Sequence, residues 1–365
     1  MRRDERRPEV PQMRILQTGV THSDPARATP GFTLFSPLWG SETLILDMRG
    51  EVVHRWDLPS PVGGYGRLMP NGNLFVSVST ETGPRFAGGA QGGRLLELDW
   101  DGNIVSEFVD DFQHHDCWRL PNGHMLYASW EDMPEERAAL VRGGIPGSDD
   151  PEGMYSDVVR EVDAEGRLVF EWRACDMEIE KYELNPFSPR RVWAWCNTTF
   201  PLANGDVLIS LRQISTCAIV DRRTGGFRWE RTDPSWGGQH DPQMLENGNI
   251  ILFANGWATR EAHPFSRVVE FDPETGEEAW VYRDSPGRNF YSHHISGQER
   301  LASGNTLICE GLWGRLFEVT PAGELVWEYI SPFENRTYSD EDVNWIFRAF
   351  RYAEDSPEIA GRLAL

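Results

Sequence analysis

Five of the nine histidines in this 365-residue chain stand just ahead of a hairpin turn: His114 and His115 in QHHDCW, His240 in GQHDPQ, and His293 and His294 in YSHHIS. Imidazole changes charge near neutral pH and can serve as acid, base, nucleophile or metal ligand. One such histidine could merely cap a strand. Its recurrence at one register in three separate segments points instead to a shared site where titratable groups converge. His54, His124 and His263 lie in an outer strand, a turn and a loop before Pro264, where structural or solvated roles are expected. Asp116 and Asp241 directly follow histidines. Strand alternation would send them to the opposite face, so a structural role is expected for both. Guanidinium groups near the same register are Arg212 and, as the favoured candidate, Arg260, with Arg288 and Arg119 weaker; such a group suits a sulfate, phosphate or carboxylate.

The elements that must hold these residues are written in two alternating repeats. One reads LILDMRGEVVHRW (44–56), LLELDWDGNIVSEF (95–108), VVREVDAEGRLVFEW (158–172), CAIVDRRTGGFRW (217–229), VVEFDPETGEEAW (268–280) and LFEVTPAGELVW (316–327). Its glycines (50, 102, 166, 225, 276, 323) are 47 to 64 residues apart, the spacing of a supersecondary repeat. The other places Asn-Gly or Ser-Gly between two β-rich runs, as in DPQMLENGNIILFAN (241–255), which is a tight hairpin signal. Two hairpins per unit make a four-stranded antiparallel blade, and six outer hairpins predict an all-β, six-bladed β-propeller. The first outer hairpin lacks an Asn-Gly hairpin before it, so its missing strands are expected from Gly31–Pro37, from VNWIFRAFRY (343–352), or from both. The expected division is an N-terminal extension (1–30), the propeller (31–352) and a C-terminal tail (353–365). In a propeller the innermost strands line the axis, which brings the histidines to one mouth of the channel.

A net charge of −22 argues against nucleic acid or an anionic membrane as partner, and requires any anion site to be locally basic and recessed. Partners are expected to be small aromatic or anionic molecules. No stretch is long and apolar enough to span a bilayer, and the N-terminal MRRDERRPEVPQMRILQTG has no apolar core of a secretory signal. Five widely spaced cysteines without a CxxC pair suit free thiols. A cytoplasmic location is the expectation, periplasmic if an export signal has been trimmed. Nucleotide-binding glycine motifs and a GxSxG elbow are absent from the sequence.

The runs QHD…NGNIILFANG (239–256), YSHHISGQERLASGNTLICEG (291–311), GRLFEVTPAGELVWEY (314–329) and FRAFRY (347–352) resemble the arylsulfotransferase-like family of six-bladed propellers. That resemblance implies transfer of a sulfuryl group from an aryl sulfate to a phenolic acceptor through a histidine, without a nucleotide sulfate donor. It carries the family's active-site histidine onto His240 and its arginine onto Arg260. Cys196 and Asn197 stand where better-known members have another histidine, and GRNFYS, with Arg288 and Asn289, replaces the segment of their nucleophile, leaving His293 or His294 to take that part. His240, His294, His115 and Arg260 are the expected catalytic set, with His114, His293, Asn197, Arg212 and Arg288 contacting substrate.

Two other readings stay open. His115, His240 and His294 could hold a divalent metal (Zn, Mn, Fe or Ni) through neutral imidazoles, giving a metal-dependent lyase or hydrolase, although no cofactor is firmly implied. Alternatively the channel binds a small ligand without chemistry.

Overall fold

The computed structural model describes residues 17–84, 90–257, 259, 264–337 and 339–364. Each outer repeat forms a hairpin with its glycine in the turn, and the turn hydrogen bonds recur: Gly50 N to Asp47 O, Gly102 N to Asp99 O, Gly166 N to Asp163 O and Gly323 N to Thr320 O. These four glycines all have positive φ, which explains why the repeat keeps glycine there.

Together the hairpins build six antiparallel blades around an axis. From the axis outward, blade 1 runs Ile346–Tyr352, Phe32–Pro37, Glu42–Leu46 and Val52–Asp57. The innermost strands of blades 2 to 6 are Val62–Leu68, Gln113–Arg119, Cys196–Pro201, His240–Met244 and Gly297–Arg300. Blade 1 thus takes strands from both ends of the chain, with Phe32 opposite Tyr352 and Phe35 opposite Ala349. At the rim of blade 6, Gly19–Ser23 adds a fifth strand against Leu325–Ile330. Both closures bury backbone groups that an open sheet edge would leave unpaired.

The aromatic that ends an outer hairpin stitches neighbouring blades. The indole N–H of Trp56 donates to Asp99 O at 2.8 Å, that of Trp229 to Pro273 O at 2.8 Å, that of Trp280 to Pro321 O at 2.8 Å, and that of Trp327 to Met48 O at 3.0 Å. Each acceptor lies in the outer turn of the next blade, so the rings pack between blades while their single donors are satisfied.

Connections between the second and third strands of a blade, and from one blade to the next, emerge on the face where the innermost strands begin. Two long insertions, 133–154 and 174–195, lie on that face, which is also the face of the histidines. All five cysteines are buried and free. Among the described residues no helix is long and apolar enough to cross a membrane.

Candidate active site

The innermost strands break their alternation where they begin. Pairing registers slip between Tyr127 and Ala128, between Cys196 and Thr198, between His240 and Gln243, between Val62 and Gly66, and between Phe35 and Pro37. Bulges of this kind re-aim side chains. His115 (φ 54°) and Asp241 (φ 56°) adopt left-handed backbone, which costs about 1–3 kcal/mol at a non-glycine residue and persists only when the surroundings impose it.

The bulges bring Asp116 and Asp241 onto the axis, a correction to the alternation expected from sequence. There both carboxylates meet Arg348 of blade 1. Its Nη1 donates to Tyr65 Oη at 2.8 Å and its Nη2 to Asn197 O at 3.0 Å and Thr198 Oγ1 at 2.8 Å, while Nε lies 3.2 Å from Asp241 Oδ1. Nη1 is also 3.5 Å from Asp116 Oδ1, which accepts a hydrogen bond from the Tyr65 hydroxyl. Gln298 of blade 6 donates from its side chain to Asp241 O at 2.7 Å. All six blades therefore meet in one buried polar knot. Burial opposes the Arg348 charge, but Asp241, Tyr65 and Asp116 outweigh it and raise its pKa. Burial pushes Asp241 up against the pull of Arg348 and Arg67.

Above the knot lie the histidines, in two groups. In the first, Trp195 Nε1 donates to His115 Nε2 at 3.0 Å, and His115 Nδ1 lies 2.8 Å from His114 Nδ1. An indole N–H can only donate, so His115 carries its proton on Nδ1 and passes that hydrogen bond to His114, whose Nε2 comes within 3.3 Å of Asp157 Oδ1. Asp157 accepts its hydrogen bonds from Trp130 Nε1 at 3.1 Å and from Ala194 N at 2.7 Å. Both ring nitrogens of His115 are thus engaged in a buried relay. Its lock, Trp195, closes the 174–195 insertion.

The second group holds free nitrogen. Asn255 donates its amide to Ser292 O at 2.7 Å and Ile295 O at 3.0 Å, which leaves its Oδ1 to accept from His240 Nδ1 at 2.7 Å. His240 is therefore the Nδ1–H tautomer, with the Nε2 lone pair unclaimed by any donor among the described residues. His294 is half-buried, packs its ring against Trp345 at 5.1 Å and against His293 at 4.5 Å, and has its Nδ1 buried without a partner.

Arg212 is the cation common to these rings. Burial lowers its pKa to about 10, and among the described residues no carboxylate lies within ion-pair distance. Its Nε is buried without a hydrogen-bond partner, Nη2 reaches His293 O at only 3.5 Å, and its guanidinium lies 4.5 Å from the Trp257 ring centroid. Burial first, and then the Arg212 charge, hold His240 well below its ordinary pKa; burial, His293 and Arg212 do so for His294, and burial, His114 and His240 for His115. The recess therefore presents neutral imidazoles around a guanidinium that has no ion-pair partner among the described residues, inside a chain of net charge −22. This is a locally basic pocket that an anion would complete.

Other expected site residues fall elsewhere. Asn197 is fully buried and donates to Gln239 O at 2.8 Å, fastening blade 4 to blade 5. Arg288 is exposed on the turn Gly287–Asn289, and Arg119 is bound to Glu97 at 3.0 Å on the opposite side of the propeller. Arg260 and His263 lie outside the described residues. Among the described residues, no three His, Cys, Asp or Glu side chains are grouped to hold a metal ion, and both nitrogens of His115 are engaged, by Trp195 and by His114. Sequence reasoning missed Arg348, Tyr65, Asn255 and Trp195. Arg348 left a signal, as one of two arginines in the closing strand IFRAFRY, the other being Arg351.

Burial of neutral histidines sets a sign for acid stability. The folded chain keeps His115 and His240 unprotonated, whereas the unfolded chain binds their protons below the ordinary value of 6.5, so stability falls as pH drops beneath that point. Each contributes a slope of up to about 1.4 kcal/mol per pH unit. Glu299, pushed up to about 7 chiefly by burial, works in the opposite direction over the same range. Denaturant midpoints measured from pH 7.5 to 5 should decline; a midpoint that rose would contradict this charge assignment.

The axis of the propeller thus opens on a histidine-lined recess that holds the Arg212 guanidinium. Two profiles, both described as Arylsulfotransferase (ASST), match the chain, one over residues 18–236 and the other over residues 143–332. The chain belongs to the arylsulfotransferase family, as the sequence resemblance implied. No curated protein is significantly similar to it in sequence. Among solved structures, a protein of unknown function from Bacteroides caccae is similar at 14% identity and TM-score 0.55, covering 88% of this chain and 99% of the other. Virginiamycin B lyase from Staphylococcus aureus is similar at 12% identity and TM-score 0.45, covering 87% and 86%. The first likeness shows the fold alone and the second is too loose to carry an argument.

Proposed function

We propose that this chain moves a sulfuryl group from an aryl sulfate to a phenolic acceptor, with His240 Nε2 as the atom that carries it between the two. The observation behind this reading is Arg212, a buried guanidinium with no carboxylate among the described residues within ion-pair distance, beside an imidazole whose other nitrogen is tied to Asn255. Family membership supports an arylsulfotransferase-like activity in general terms.

In the first half-reaction the Nε2 lone pair forms a bond to sulfur as the sulfur–aryl oxygen bond breaks, and the electron pair departs on the phenolate. Arg212 offsets charge on the sulfuryl oxygens. The ring becomes an imidazolium, still bearing its Nδ1 proton, and Asn255 Oδ1 accepts the strengthened hydrogen bond. His294 is the acid for the leaving phenolate. It is neutral in the empty recess, but the negative charge of a bound sulfate ester raises its pKa and lets it take up the proton it then donates. In the second half-reaction the acceptor phenol gives its proton to His294, its oxygen attacks sulfur, and neutral His240 is regenerated.

Initial rates with para-nitrophenyl sulfate as donor and phenol as acceptor test this reading. Parallel double-reciprocal lines are expected, and Arg212→Met should lower kcat/KM for the donor by about 10²–10³-fold, the usual effect of removing one group that stabilises developing charge. Intersecting lines, or an Arg212→Met enzyme with undiminished kcat/KM, would contradict it.

A further inference from the structure

We propose that the cleft next to Arg212 receives the acceptor, and that it selects phenols built from two or more linked or fused aromatic rings. This rests on the sulfuryl-transfer reading above and extends it to the acceptor. The cleft, of about 1290 Å³, opens on the histidine face between the 174–195 insertion and the connections of blades 4 and 5. Its walls come from the segments that position the recess: Gln213 and Ser215 belong to the turn that presents Arg212, and Gly256 directly follows Asn255, the partner of His240.

Trp257 is the partition between recess and cleft. One neighbour is the Arg212 guanidinium, 4.5 Å from its ring centroid; another is the Phe187 ring at 6.3 Å. Phe187 lines the cleft and is 58% exposed, a large apolar ring held in solvent with an aromatic face to offer. Phe265 adds a second ring to the lining. A single phenol at His240 would end at Trp257, whereas a second ring could pass beyond it and stack on Phe187. Most of the charges on its walls are paired with residues just outside it, Lys181 2.6 Å from Glu178, Glu183 3.4 Å from Arg142 and Arg267 3.4 Å from Glu278, with Arg283 left at the margin, so the ligand that the walls suit is an aromatic one that need carry no charge.

Phe187→Ser removes the exposed ring, and Ser235→Trp fills the cleft from an exposed position on its wall. Two measurements are made on each full-length variant: binding of para-phenylphenol followed by tryptophan fluorescence, and the pre-steady-state burst of nitrophenolate from para-nitrophenyl sulfate. Both variants should bind para-phenylphenol about 10-fold more weakly, the worth of one lost aromatic contact, with the burst unchanged and single-ring phenol accepted as before. Unchanged para-phenylphenol binding in both variants would overturn the cleft assignment. Loss of the burst in wild-type protein would instead refute the sulfuryl-transfer reading, while the binding arm still decides whether the cleft holds linked rings.

Discussion

Replacing His240 by alanine is expected to lower aryl sulfate turnover by about 10³-fold or more, because the substitution deletes the one imidazole nitrogen, among the described residues, with a defined free lone pair beside Arg212. Folding should survive. The ring lines the channel, and its desolvated neutral state makes it a source of acid sensitivity. The variant should therefore lose part of the decline in stability below pH 6.5 while keeping near-native stability at neutral pH. His115→Ala provides the contrast, since both nitrogens of His115 serve the relay from Trp195 to His114. It should cost stability at neutral pH and reduce turnover less than His240→Ala. Initial rates and denaturant melts on the two variants separate these outcomes; a His240→Ala enzyme within a factor of ten of wild type would remove His240 from the chemistry.

Arg348→Met is the substitution with the largest expected effect on folding. Arg348 is 1% exposed, and removing its charge leaves Asp116 and Asp241 buried without their ion-pair partner and takes a donor from the Asn197 carbonyl and from the Thr198 hydroxyl. Breaking a buried pair from one side costs about 3–5 kcal/mol, most of it the penalty of the stranded charge. Arg348→Lys should recover little, because one ammonium cannot span the donors' separate partners in blades 2, 4 and 5. Combining Arg348→Met with Asp116→Asn and Asp241→Asn should restore part of the loss, since the stranded charges are then gone. Chemical denaturation of the four proteins measures this directly. A loss below about 1 kcal/mol for Arg348→Met would show that the blades are held by their hydrophobic interfaces alone.

Most of the architecture was legible because it rests on local chemistry. Turn glycines at positive φ and hairpin-closing tryptophans obey rules visible within a dozen residues, and the missing partner of the first outer hairpin pointed to closure by both chain ends. The convergence of the histidines on one face follows from the same repeat. What sequence could not show was direction. Alternation placed Asp116 and Asp241 away from the axis, whereas bulges with left-handed backbone at His115 and Asp241 turn both carboxylates toward Arg348, a partner more than a hundred residues distant. His115 looked equivalent to His240 in register, and only the insertion that delivers Trp195 distinguishes them. Arg212 stands out through its place beside the histidines, where burial lowers its pKa and no carboxylate among the described residues lies within ion-pair distance, a circumstance that no linear pattern records.

The most direct measurement is the mass of the protein after a brief reaction with an aryl sulfate in the absence of acceptor, followed by peptide mapping under conditions that preserve nitrogen–sulfur bonds. One added SO₃ should appear on the peptide containing His240, vanish when a phenol is supplied, and be missing from His240→Ala. The same modification found on the peptide bearing His293 and His294, or phenolate release in a full burst with no modified histidine anywhere in the chain, would contradict His240 as the carrier.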